Sequence, residues 1–144
     1  MEKKLKVLLP VDLMDRDIAL QEIRRAMVYL KPQPVEMHFM SIIPKKPVSL
    51  LGNTLPSKEL QGALEVLGEE LQGVVREALP LLSEFIIKTC EGSIYKEILK
   101  YSEEIEPALI VMPSHSHSKV ENILIGSVTS KVVEKANCSV LVVR

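Results

Sequence analysis

Tryptophan is absent from the chain, and aromatic side chains make up only 3% of it, which leaves few flat surfaces on which bases can stack. An excess of either charge is missing too. Eighteen Lys and Arg stand against 19 Asp and Glu, for a formal net charge of −1, so no overall field draws the protein to nucleic acid or to an anionic membrane surface. Cysteine occurs twice, at Cys90 and Cys138, with no C-x-x-C spacing and no disulfide framework. That usage fits a reducing compartment. No apolar run approaches the roughly 20 residues of a membrane-spanning helix. The basic start runs into Val7-Leu8-Leu9, which Pro10 cuts short of a signal-peptide core. These absences predict a soluble, cytoplasmic protein with neither nucleic acid nor membrane as partner. The length, 144 residues, predicts one domain over residues 1–144 with a single core.

What is present alternates between two periods. Leu5 to Val11 is a short apolar run of the kind that fills a central parallel strand, with Pro10 ending its pairing and Asp12 at its far end. Asp15 is a good N-cap, and Ala19, Ile23, Ala26, Met27 and Leu30 then recur at helical spacing until Pro32 and Pro34. Val35 to Ile43 reads as a second strand closed by Pro44, with His38 at its middle as a core histidine bonded to a neighbour. Residues 44–56 hold three prolines and no periodicity, which marks a loop, its Leu50, Leu51 and Leu55 tucking against the domain. Ser57 is placed to cap a helix with an apolar stripe from Leu60 to Leu82, ending near Pro80. Gly62, Gly68 and Gly73 inside it each cost about 1 kcal/mol relative to Ala. Phe85 to Cys90 is a third strand, Glu91-Gly92-Ser93 a turn with Ser93 as cap, and Ile94, Ile98, Tyr101 and Ile105 one face of a third helix that Glu106-Pro107 stops. The order strand, helix, strand, loop, helix, strand, helix, strand, helix, strand predicts a doubly wound α/β sheet of five parallel strands with helices on both faces.

The last quarter holds the functional question. Ala108 to Met112 is a buried strand, Pro113 to Lys119 a polar loop, Gly126-Ser127 a helix start and Ser139 to Val143 a closing strand. A strand, loop and helix N-terminus in that order offer unpaired backbone N–H groups to an anion. The run from Leu109 to Val143, LIVMPSHSHSKVENILIGSVTSKVVEKANCSVLVV, resembles the C-terminal half of the universal stress protein (UspA-like) family. KVLLPVD resembles that family's first strand with its acidic residue, and CEGS its third-strand turn. The resemblance implies a flavodoxin-like or Rossmann-like fold with strand order 3-2-1-4-5. The ligand crevice then lies at the switch point between strands 1 and 4.

In the ATP-binding members of that family, a G-x2-G-x9-G-[S/T] motif holds the phosphates, while the acidic residue after strand 1 and a residue late in strand 2 contact the nucleoside. The resemblance therefore places a nucleotide site at Asp12, at Phe39 or Met40, along the loop of Met112, Pro113, Ser114, His115 and Ser116, and at Gly126, Ser127 and Val128, with ATP and Mg²⁺ as the implied ligand. The spacing is kept, but Pro113 and Ser116 stand where the first two glycines belong. Proline has no N–H to give, and Ser116 brings a Cβ where the backbone must approach a ligand. A lost donor of this kind costs perhaps 1–3 kcal/mol. Ser127 is either a phosphate contact or simply the helix N-cap. His115 and His117 form an H-x-H pair, read as solvated, with a metal- or anion-responsive role as the rival; no third or fourth metal ligand sits at a recognised spacing.

No nucleophile elbow, Walker lysine or H-E-x-x-H is present, so no enzyme is expected. The expected function is a non-catalytic stress-response module with a degenerate nucleotide crevice, the alternative being a working ATP-dependent switch. The closing strand Ser139 to Val143 is apolar and without proline. The family resemblance implies that it pairs with its own copy in a homodimer.

Overall fold

The computed structural model describes residues 3–30, 34–45, 57–114 and 125–144. Its elements follow in the order β1 (Leu5–Pro10), α1 (Arg16–Val28), β2 (Val35–Pro44), α2 (Ser57–Ala78), β3 (Ile86–Gly92), α3 (Ile94–Ile105), β4 (Leu109–Pro113), α4 (Ser127–Lys135) and β5 (Ser139–Val143). The five strands form one parallel sheet in the order β3-β2-β1-β4-β5, as expected. Because β1 pairs with β2 on one side and β4 on the other, successive crossovers leave it in opposite directions and open a crevice at their C-terminal ends.

Alternation along each strand sends side chains to two separate cores. Val7, Leu9 and Val11 of the first strand segment, Met37 and Phe39 of β2, and Val111 of β4 pack with Ala19, Leu20, Ile23 and Ala26 of α1 and Leu71, Val74, Val75 and Ala78 of α2. Leu8, Met40, Ile110 and Met112 face the other way, against Ile98 and Tyr101 of α3 and Val132 of α4. The sheet is thus the middle of three layers.

Local chemistry sets most boundaries. Asp15 is the N-cap of α1, its Oδ1 accepting the Ile18 N–H at 3.2 Å, a contact of about 1 kcal/mol. Three boundaries differ from expectation. Ser57 is the first helical residue of α2 rather than its cap. β3 runs through Glu91 and Gly92, assigned above to a turn, because both pair with β2 at Ile43 and Pro44. Gly92 has φ of 155°, a conformation that other residues rarely adopt, and a Cβ there would also displace the Glu97 side chain, 2.7 Å away. Ser93 occupies the N-cap position of α3 without a side-chain capping bond. Finally, the N-cap of α4 is Gly126, which puts Ser127 in the first turn and removes it from the capping role. Helix α3 ends on Glu106 in the left-handed region, φ 50° and ψ 62°, immediately before Pro107.

His38 is the buried, bonded histidine the sequence suggested. At 4% exposure it lies 2.9 Å by Nε2 from Glu36 Oε2 and 2.8 Å by Nδ1 from the Tyr101 hydroxyl. A carboxylate only accepts, so Nε2 donates to Glu36, and in the neutral ring Nδ1 accepts from Tyr101. The bond to His38 holds the Glu36 carboxyl below its ordinary range, with Lys6 and Lys4 adding to the effect.

Candidate functional site

A cleft of about 420 Å³ opens at the C-terminal ends of β1, β2 and β4, within the range of about 300–1,000 Å³ usual for small-molecule sites. Asp12 and Leu13 stand just past the end of β1, where the chain leaves the sheet for α1. Met112 and Pro113 end β4 opposite them, and Gly126, Val128 and Thr129 bring the start of α4 to the same opening. The two helical layers close the sides, Leu67 and Glu70 from α2 and Ile94 and Ile98 from α3.

Most of this lining is apolar, and the hydroxyls within it are turned to the backbone. Ser41 Oγ donates to the Val11 carbonyl at 2.9 Å and Thr129 Oγ1 to the Pro113 carbonyl at 2.7 Å. Asp12 Oδ1 accepts the Met14 N–H at 2.9 Å, which fixes the turn that carries it. The charged lining residues described are all acidic, Asp12, Glu22 and Glu70.

The residues singled out from the sequence divide three ways. Asp12, Met40, Met112, Pro113, Gly126 and Val128 all line the cleft. Phe39 does not: strand alternation turns it into the core under α1 and α2, edge-on to Phe85 with ring centroids 5.8 Å apart, while its neighbour Met40 faces the cleft. Ser127 is exposed and outside the lining, and Ser114 turns instead into a smaller cavity of about 60 Å³ beside Arg25 and Arg144. His115, Ser116, His117 and the Leu50 to Leu55 segment lie outside the described residues. Leu67, Glu70, Ile94, Ile98 and Thr129 are lining residues that the sequence did not announce. Helical periodicity marked Leu67, Ile94 and Ile98 as apolar, but nothing local says which end of a stripe overhangs a crevice.

The backbone at the ends of β4 and α4 is largely spoken for. Pro113 has no N–H; the Ser114 N–H donates to the Val143 carbonyl at 2.9 Å, and the Gly126 N–H to the Ser114 carbonyl at 2.8 Å. What remains is the first turn of α4, whose opening amides have no partner within the helix and no side-chain cap from Gly126. Gly126 itself has φ of −65°, a conformation open to any residue, so its backbone does not require glycine.

The family model described as "Universal stress protein family" matches residues 5–144. The chain belongs to the universal stress protein family. Among its relatives, universal stress protein MJ0531 of Methanocaldococcus jannaschii is 28% identical over 144 residues, covering 96% of this chain and 81% of that protein. Universal stress protein MJ0577 of the same organism is 27% identical over 152 residues, 96% of this chain and 94% of its own length. The solved structure of MJ0577 superposes with a TM-score of 0.71 at 25% identity, covering 96% of this chain and 94% of that one. A universal stress protein from Archaeoglobus fulgidus, solved in complex with dAMP, shares the fold with a TM-score of 0.60 at 16% identity over 97% of this chain and 98% of that one.

Other chemistry finds little footing. Among the described residues there is no group of three or more His, Cys, Asp and Glu placed to hold a metal ion. No described helix is long and apolar enough to cross a membrane. Burial, and next the Glu97 carboxylate, push the Cys90 thiol up to about 11, and burial raises Cys138 as well, so neither is a ready thiolate.

Proposed function

We propose that this universal stress protein is a non-catalytic stress-response module whose switch-point crevice takes an adenine nucleoside or nucleotide in a weakened form of the family's ATP site. The observation that carries the reading is the cleft itself, with Asp12 on one wall and the amide-bearing start of α4 on the other. A base fits the apolar floor of Val11, Ile43, Ile94 and Met112, and a carboxylate at Asp12 is the natural acceptor for a ribose diol. The dAMP complex of the Archaeoglobus fulgidus relative supports the ligand class. The non-catalytic reading draws on the lining hydroxyls, since Ser41 and Thr129 both donate to backbone carbonyls.

The test is a calorimetric titration of AMP into metal-free protein, repeated with Asp12→Asn and Asp12→Ala. Binding to the native chain, weakened about tenfold or more in both variants, is the expected result. Binding unchanged in both variants, or none to the native chain, sinks the reading. A phosphate-release assay with ATP is expected to stay at background.

Two further parts of the proposal concern context. The sheet edge β5 carries the half-buried apolar run Val140 to Val143, and we propose that it pairs with a second copy across a two-fold axis. Light scattering should give a dimer mass that Val142→Lys converts to a monomer. The two free cysteines suit a reducing compartment such as the cytoplasm.

A further inference from the structure

We infer that the smaller cavity, between α1 and the ends of β4 and β5, is a site for inorganic phosphate in its monohydrogen form. The inference goes beyond the crevice reading and does not depend on it. The cavity measures about 60 Å³, far below the roughly 300 Å³ at which sites for organic ligands begin. A single water needs only about 10–15 Å³, so there is room for one small oxyanion. Among the described residues, three charged side chains line it: Glu22 and Arg25 of α1, and Arg144 just past β5.

Ser114, which also lines the cavity, points to a ligand. The residue is 1% exposed, and its Oγ is the only buried side-chain polar atom among the described residues without a hydrogen-bond partner. Buried polar groups are nearly always paired. The backbone that carries this hydroxyl is anchored on both sides: its N–H donates to the Val143 carbonyl at 2.9 Å, and its carbonyl accepts the Gly126 N–H at 2.8 Å. A guanidinium can only donate, and its fork matches phosphate oxygens. Two such groups and an unused hydroxyl, brought to one small space from α1, the end of β4 and the end of β5, suit an oxyanion. Glu22 decides which oxyanion. A carboxylate can only accept, so it repels fully ionised sulfate but accepts the proton that monohydrogen phosphate retains.

Inorganic phosphate and sulfate, titrated separately into the full chain by calorimetry near neutral pH in a zwitterionic buffer at fixed ionic strength, test the site. Phosphate should bind, with sulfate weaker by about tenfold or more, the weight of one hydrogen bond to a charged group. Arg25→Gln and Ser114→Ala should each weaken phosphate, the first by about tenfold and the second severalfold. Glu22→Gln should close the gap between the two anions, because an amide can donate to sulfate. Circular dichroism confirms that the variants are folded, and phosphate should raise the midpoint temperature of the native chain more than that of Arg25→Gln. No binding of phosphate to the native chain overturns the inference, as does phosphate binding that none of the three folded variants alters. Sulfate binding as tightly as phosphate overturns it too, since Glu22 then reads no proton. AMP should leave bound phosphate in place. If AMP displaces it, the anion belongs to the crevice's ligand and the separate site falls, whereas failure of AMP to bind sinks only the crevice reading.

Discussion

The face of the sheet covered by α1 and α2 and the face covered by α3 and α4 use the same strands differently. Among the described residues, the first buries fourteen apolar residues in one cluster, including Phe39, Met37 and the Leu71, Val74 and Val75 stripe of α2. The second buries seven among the described residues and carries polar groups with them: His38 bonded to Glu36 and Tyr101, Ser102 bonded to Leu99 within α3, and Thr129 bonded to Pro113. The larger apolar cluster is the expected source of more of the stability. The other gives up part of that packing for a buried polar network, and its α4 start opens onto the crevice.

Substitutions test that contrast. The largest effect is expected for Phe39→Ala, which empties a fully buried site against Phe85 and should cost about 3–5 kcal/mol of unfolding free energy, measured by urea denaturation. A loss under about 1 kcal/mol breaks the view of this face as the stabilising one. Tyr101→Phe keeps the ring and removes the hydroxyl, leaving His38 Nδ1 without its partner, and should cost about 1–3 kcal/mol. If Tyr101→Phe is neutral, the second face is held by apolar contact alone. Glu106→Gly relieves a left-handed residue at the end of α3 and should stabilise the protein by up to about 1 kcal/mol, read as a rise in midpoint temperature.

The smallest effect is a pH dependence at Glu36. Its folded carboxyl titrates below its ordinary value, chiefly through the bond to His38, so its contribution is complete above the unfolded carboxylate value and is lost as pH falls through the folded one. Denaturation midpoints of the native protein and Glu36→Gln should therefore differ at neutral pH and converge below the ordinary carboxylate range. Partial exposure of Glu36 keeps the difference small, and a constant offset across that range assigns the effect to something other than its charge.

Both the strand positions and the helix stripes were legible along the chain, because periods of 2 and 3.6 are local and Asp12, Asp15 and Glu106-Pro107 punctuate them. Turn chemistry at Glu91-Gly92 misled, since pairing with Ile43 and Pro44 across the sheet outweighed a local turn preference. Likewise Ser127 carried the composition of a cap, yet the chain enters α4 one residue earlier.

Element order, the parallel sheet and the loss of a donor at Pro113 are readable along the chain, because each follows from a residue's own backbone chemistry or from its spacing to near neighbours. Folding is what brings Met40 rather than Phe39 to the cleft, supplies its walls from α2 and α3, and leaves the Ser114 and Gly126 amides already bonded. Those outcomes depend on partners brought together from distant parts of the chain: Ser114 with Val143 and Gly126, Thr129 with Pro113. A hydrogen bond can be counted as available to a ligand only after the fold has chosen which groups stand opposite one another.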